Sequence, residues 1–207
     1  IRCWPELPRD YGQWPYLAVT RLADEGLPVA CEGDVDGALT MLCCKFLGCG
    51  APYISDWLEH DRSSFVCWHG GMCPTCLTSD PGDGGGPRIR PHFNNKKPAV
   101  VDATLKPGMD VTICRFWVCD GKYHAMICNG RSKPAKRPLS GNNGLVELDL
   151  SDRGGRQRTN QISRRFSYLL VDFAHRWAGS FRMLRGLGHP VRHAAPRDHL
   201  PGPPQGV

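Results

Sequence analysis

Two carboxylates, Glu32 and Asp56, each close a short apolar run, residues 28–31 before Glu32-Gly33 and residues 51–55 before Asp56. Carboxylates can move protons as general acids and bases, and a pair of them offers the hard oxygen ligands that suit Mg²⁺ or Mn²⁺. Between the two runs, Val35, Ala38, Leu39, Leu42, Cys43, Phe46 and Leu47 recur at helical spacing, with Asp34 or Asp36 placed to cap the start and Gly48 to end it. The order predicts strand, helix, strand. A right-handed crossover would make the strands parallel and bring both carboxylates to one sheet edge, with neighbouring backbones about 4.8 Å apart, in the crevice where open α/β sheets bind ligands. Acidic residues also end strands simply because loops are solvated, so the pattern alone leaves both readings open.

The residues themselves narrow the choice. The run CEGDVDGALTM at residues 31–41, followed by GAPYISD ending at Asp56, resembles the L-fucose isomerase and L-arabinose isomerase superfamily, whose L-fucose isomerase-like members carry similar CE-x-D-x-x-G-A-x-T and G-x-P-x-x-x-D segments. The opening RCWPEL and the later KPGMDVTICRF are similar to segments of the same family. The resemblance implies an aldose–ketose isomerase that acts on a sugar, in which Glu32 and Asp56 hold Mn²⁺ and are the proton-transfer groups. It implies a third metal ligand in a late histidine. In GLGHPVRHAAPRDHL, His189 follows the turn at residues 186–188 and is the closest match, with His193 next and His199 in a later Arg-Asp-His segment. His69, a histidine followed by small residues soon after the aspartate, is implied as a substrate contact. The resemblance further implies a homo-oligomer with a site built between subunits, and a preceding N-terminal part. A chain that opens on Ile is accordingly expected to be the C-terminal part of such an enzyme, with a catalytically incomplete fragment that retains only the fold as an alternative.

Elements must position these side chains. Pro15, Tyr16, Val19, Ala23 and Gly26 predict a helix that covers the sheet, after a loop over residues 1–15. Residues 65–68, 99–105, 110–118, 122–128 and 145–150 are β-rich runs, the later ones separated by KPGMD, CDGK and SGNNG turn sequences, and Asp120-Gly121 signals a hairpin. These runs predict an antiparallel sheet or small barrel. The expected fold class is thus α/β followed by β: part of a doubly wound parallel sheet domain over residues 1–63 carrying the Glu/Asp pair, then a C-terminal β-rich, barrel-like domain over residues 64–207. In the tail, Phe166, Leu169, Leu170, Phe173, Trp177, Phe181 and Leu184 fit a helix, although residues 168–173 alone could form a strand.

Composition excludes other classes. Hydrophobic residues make up 41% and charged residues 22% of the 207, no apolar run approaches the 18 or so residues of a membrane span, and the start lacks the apolar core of a signal peptide. The odd count of eleven cysteines, several in apolar positions, argues against a secreted disulfide framework, so the cytoplasm is expected. The net charge of +6 is concentrated in residues 151–207, whose ten Arg and three Asp give +7 and leave −1 for the rest, so no basic surface for nucleic acid covers the main body. An alternative of another class is a zinc-stabilised RNA-binding module. It would use Cys67, His69, Cys73 and Cys76 as soft ligands and the arginines Arg164, Arg165, Arg176, Arg182 and Arg185 as a phosphate strip.

Overall fold

A computed structural model describes residues 2–136, 139–149 and the backbone of 167–172. The N-terminal segment forms a short helix α1 (Glu6–Asp10) where a loop is expected, then α2 (Tyr16–Asp24) and α3 (Val35–Phe46). Pro15 opens α2, and Gly26 leaves its end at φ 79°. Asp34 caps α3, its carboxylate accepting from Gly37 N at 2.8 Å, and Gly48 follows the helix at φ 72°.

Eight strands follow, β1 (Pro52–His60), β2 (Ser64–His69), β3 (Arg88–Arg90), β4 (Val100–Thr104), β5 (Asp110–Cys119), β6 (Lys122–Lys133), β7 (Asn142–Leu148) and β8 (Ser167–Asp172). The pairings run β2-β1-β8-β5-β6-β7, and β7 pairs back onto β2, so six antiparallel strands close into a ring. Closure removes the exposed edges that an open sheet of this size would leave. β4 joins β7 by a short parallel pairing at Asn142 and Asn143 and carries β3 on its other side. The β5–β6 hairpin turns at Asp120 (φ 53°) and Gly121 (φ 68°), both in the left-handed region that a two-residue I′ loop requires. The barrel-like, antiparallel C-terminal region is therefore as the turn chemistry predicts.

The expected parallel unit is corrected. Residues 28–31 form no strand, and both edges of β1 are taken by antiparallel neighbours, β2 and β8. Nor does β1 stop at Asp56: it continues to His60, with Asp56 opposite Trp68 of β2 and Ser167 of β8. The boundary expected at residue 63 falls in the turn between β1 and β2. The predicted tail helix is corrected over residues 167–172, which are strand β8; filling the gap between β1 and β5 supplies backbone partners that local periodicity does not reveal. The remainder of that predicted helix, with its arginines, lies outside the described residues.

Two apolar clusters hold the layers together. Tyr53, Trp57, Phe65, Cys67, Val111, Ile113, Val146 and Leu148, from four of the ring strands, pack into one. Cys3, Trp14, Tyr16, Val19, Cys31, Met41, Cys44 and Ile54 pack into the other, between the N-terminal elements and the outer face of the ring. Side chains alternate along a strand, so Asp56 shares the face of β1 that Ile54 presents to the N-terminal layer, not the face of Tyr53 and Trp57. The face α3 buries also differs from the periodic set. Gly37, Thr40, Met41 and Cys44 are buried, whereas Val35 is 79% and Phe46 80% exposed. The helix is apolar on both sides, and polar anchors choose between them. Thr40 Oγ1 accepts from Phe116 N of β5 at 3.1 Å, and a Cβ at Gly37 would fall 3.1 Å from Arg115 Nη1 of the same strand, so this side lies hard against the sheet. No helix among the described residues is long and apolar enough to cross a membrane.

Candidate active site

Glu32 stands in a tight turn ahead of α3, closed by Asp34 N donating to Cys31 O at 3.1 Å. Glu32 (φ 63°) and Gly33 (φ 69°) are both left-handed in this turn. For a residue with a long side chain that conformation costs roughly 1–2 kcal/mol, and such outliers concentrate where function holds them. Asp56 approaches from β1, close enough that the charge of Glu32 acts on it. Burial first, and then that charge, push the Asp56 carboxyl up to about 6. Glu32 is pushed up to about 7, by burial first and then by Cys3 and Asp34; its side chain is still 46% accessible, so solvent screens part of that push. No described residue hydrogen-bonds or ion-pairs with the Asp56 carboxylate. The fold brings the two predicted carboxylates together although it does not use the parallel edge to do so.

His69, at the end of β2, is the third predicted site residue that the structure places here. Its Nδ1 accepts from Gly71 N (3.2 Å) and Met72 N (3.0 Å), which puts the proton on Nε2. Nε2 is buried, has no hydrogen-bond partner among the described residues, and lies 3.9 Å from Glu32 Oε1. An N–H in that position is a donor for a substrate oxygen and not a free lone pair for a metal. Burial, and then the neighbouring His92, hold His69 down at about 4. The folded protein therefore refuses a proton that the unfolded chain accepts from pH 6.5 downward, so stability is full above that pH and falls toward pH 4, by up to about 3 kcal/mol from this group alone. Glu32 and Asp56, with raised values, act in the opposite sense. Urea unfolding at pH 7 and pH 4.5 is expected to show a smaller acid loss for His69→Gln than for the wild type; equal losses would mean that His69 does not govern it.

Cys3 and Tyr16 join this site without being among the residues predicted for it. Cys3 Sγ donates to Glu32 Oε1 at 3.5 Å, Tyr16 Oη donates to Cys3 Sγ at 3.6 Å, and the Tyr16 ring meets that of His69 edge-on at 5.1 Å. Cys31 lies against Cys3, and this thiol–thiol contact, with burial, pushes the Cys31 thiol up. The same Cys31 contact, against burial, pulls the Cys3 thiol down to about 5, so that one proton is shared between Cys3 Sγ and Glu32 Oε1. His92 stacks on Trp14 at 3.9 Å, which in turn stacks on Tyr16 at 5.1 Å, extending the aromatic wall.

The zinc alternative is corrected by the same geometry. Cys67 is buried in the ring cluster and donates to Gly144 O at 3.2 Å, Cys73 donates to Pro74 O at 3.6 Å, Cys76 is exposed, and His69 Nδ1 is occupied. Among the described residues no three His, Cys, Asp or Glu side chains converge as a metal site. The predicted third ligand, His189, and its neighbour His193 lie outside the described residues.

The site thus holds two partly desolvated carboxylates, near enough for the charge of one to act on the other, with a histidine N–H 3.9 Å from one of them. No protein-family model matches the chain. It is 30% identical over 151 residues to a sulfoquinovose isomerase of Priestia aryabhattai and to one of Priestia megaterium, and 29% identical over 153 residues to one of Alkalicoccus urumqiensis. Each match covers 72% of this chain and 33% of the relative, so the chain spans about a third of the length of the curated relatives it matches. The chain is related in sequence to sugar isomerases.

Proposed function

We propose that this chain carries the proton-transfer carboxylates of a metal-dependent aldose–ketose isomerase of the L-fucose isomerase type. The observation that carries the reading is the meeting of Glu32 and Asp56, from a left-handed turn and a barrel strand, at one site with the unpartnered Nε2–H of His69. The donor set fits a hard divalent cation: two partly buried carboxylates lie near enough for the charge of Glu32 to act on Asp56, and the Asp56 carboxylate has no cation or donor among the described residues to offset its charge. Mn²⁺ is the ion proposed, held by Glu32, Asp56 and, from the tail, His189. When bound, it would neutralise charge on two adjacent sugar oxygens and acidify the C–H between them. One carboxylate removes that proton, and the same or the partner carboxylate returns it to the neighbouring carbon, so that aldose and ketose interconvert through an ene-diol. His69 Nε2–H would donate to a sugar oxygen and hold the ring or chain in register.

The relatives' name makes sulfoquinovose the first sugar to test, beside L-fucose and L-arabinose. The complete gene product carrying this chain should convert one of these with Mn²⁺ and, in D₂O, place deuterium on the carbon that receives the proton. Chelation should abolish both. Absence of conversion and of deuterium uptake across the panel would overturn the proposal. The exposed apolar stripe of α3, with Val35 and Phe46, supports a homo-oligomer, and we keep the cytoplasm as its location.

A further inference from the structure

Glu32 projects from a left-handed turn, so no helix or strand dictates the direction of its side chain. A short chain of polar contacts from the N-terminal segment does so instead. Tyr16 Oη donates to Cys3 Sγ, and Cys3 Sγ donates to Glu32 Oε1, the oxygen that also faces His69 Nε2. Both relay residues are fixed: Cys3 is 0% and Tyr16 3% exposed, with the tyrosine ring held between Trp14 and His69. Oε2, the other carboxylate oxygen, takes no hydrogen bond from a described residue. The relay therefore holds one oxygen and leaves its partner directed to whatever the site binds.

We infer that Cys3, held by the Tyr16 hydroxyl, is a positioning residue that orients the Glu32 carboxylate for its ligand. The inference rests on the reading of Glu32 as a cation-holding group. Outer hydrogen-bond partners of metal ligands are worth about 10–100-fold in affinity, and a thiol, as a weak donor, belongs at the low end of that range.

The test is a titration of Mn²⁺ alone onto the full chain, followed by the electron paramagnetic resonance signal of the free ion, with a thermal melt for each variant. Glu32→Gln should lose binding. Cys3→Ala, which removes the donor, should weaken it about tenfold, Cys3→Ser, which keeps an O–H, should recover all but about two- to threefold, and Tyr16→Phe should fall between. Melting temperature should not follow this order, because a serine hydroxyl suits the apolar surroundings of residue 3 no better than alanine does. If Cys3→Ala binds as the wild type while Glu32→Gln does not, the positioning role is overturned and the reading of Glu32 survives. If serine fails to rescue, the alanine effect is one of packing and the role is likewise overturned. If the wild type binds no Mn²⁺, or Glu32→Gln binds as well as the wild type does, both fall together.

Discussion

Glu32→Gln and Asp56→Asn are each expected to lower sugar isomerisation by at least about a hundredfold, the lower bound for losing a positioned general base, and by more if ion binding is lost as well. Amides match the carboxylates in shape, so the loss would be one of proton affinity and charge. The same exchanges separate function from stability. Asp56 is partly buried, and its carboxylate, without a hydrogen bond or ion pair among the described residues, is pushed up to about 6. A carboxyl raised in the folded state leaves stability intact below the unfolded value near 4 and erodes it as pH rises through 6. Two units correspond to a ceiling of about 2.7 kcal/mol, which solvent screening reduces to about 1–2. In metal-free protein, Asp56→Asn should therefore melt a few degrees above the wild type at pH 8 and level with it at pH 4. Melts followed by circular dichroism in a chelating buffer check this. A strongly destabilised Asp56→Asn would make the residue a structural one, and retention of most activity by Glu32→Gln would end its assignment to proton transfer.

What the sequence discloses depends on how local each cause is. The Asp120-Gly121 hairpin, the Asp34 cap and the Gly26 and Gly48 helix ends are set by a few adjacent residues, and each is where those residues put it. The direction of strand pairing is not local. The four apolar residues 28–31 read equally well as a strand or as buried coil, and only the antiparallel occupation of both edges of β1 decides for coil. Similarly, Leu169 and Leu170 fit helical spacing with Phe166 and Phe173 until β1 and β5 are seen to leave a gap that a strand fills. The α3 face was hidden for another reason: a helix apolar all round gives no net direction, and Thr40 and Gly37, unremarkable in sequence, set it. At the site, Glu32, Asp56 and His69 were visible because carboxylates and histidines announce chemistry by type. Cys3 and Arg115 lie in the segments RCWPEL and KPGMDVTICRF and Tyr16 in the predicted α2, but nothing in those segments says which side chain reaches the site.

Arg115 carries the largest expected effect on stability. Its guanidinium forms a two-pronged pair with Asp34: Nη2 donates to Oδ1 at 2.8 Å, Nη1 donates to Oδ2, and the side chains are only 8% and 11% exposed. The pair bolts the N-terminus of α3, and with it the turn that carries Glu32, to strand β5. Arg115→Leu would leave the Asp34 charge buried with only its cap on Gly37 N, and Asp34→Asn would take away the carboxylate charge that balances the guanidinium. Breaking one side of a buried pair typically costs about 3–5 kcal/mol, because the remaining charge is uncompensated. The double variant Asp34→Asn/Arg115→Leu should recover about 1–3 kcal/mol of the summed losses, since no lone charge remains. Urea unfolding of the four proteins measures this coupling directly, and strictly additive losses would show that the two groups do not act as a pair. Activity should not recover with stability. Asp34 lies two residues from Glu32, so a double variant that folds well but has lost the bolt is expected to keep its barrel while losing the placement of the carboxylate, with kcat/KM well below that of the wild type. Equal recovery of both would mean that Glu32 is placed by its own turn and the Cys3 contact alone.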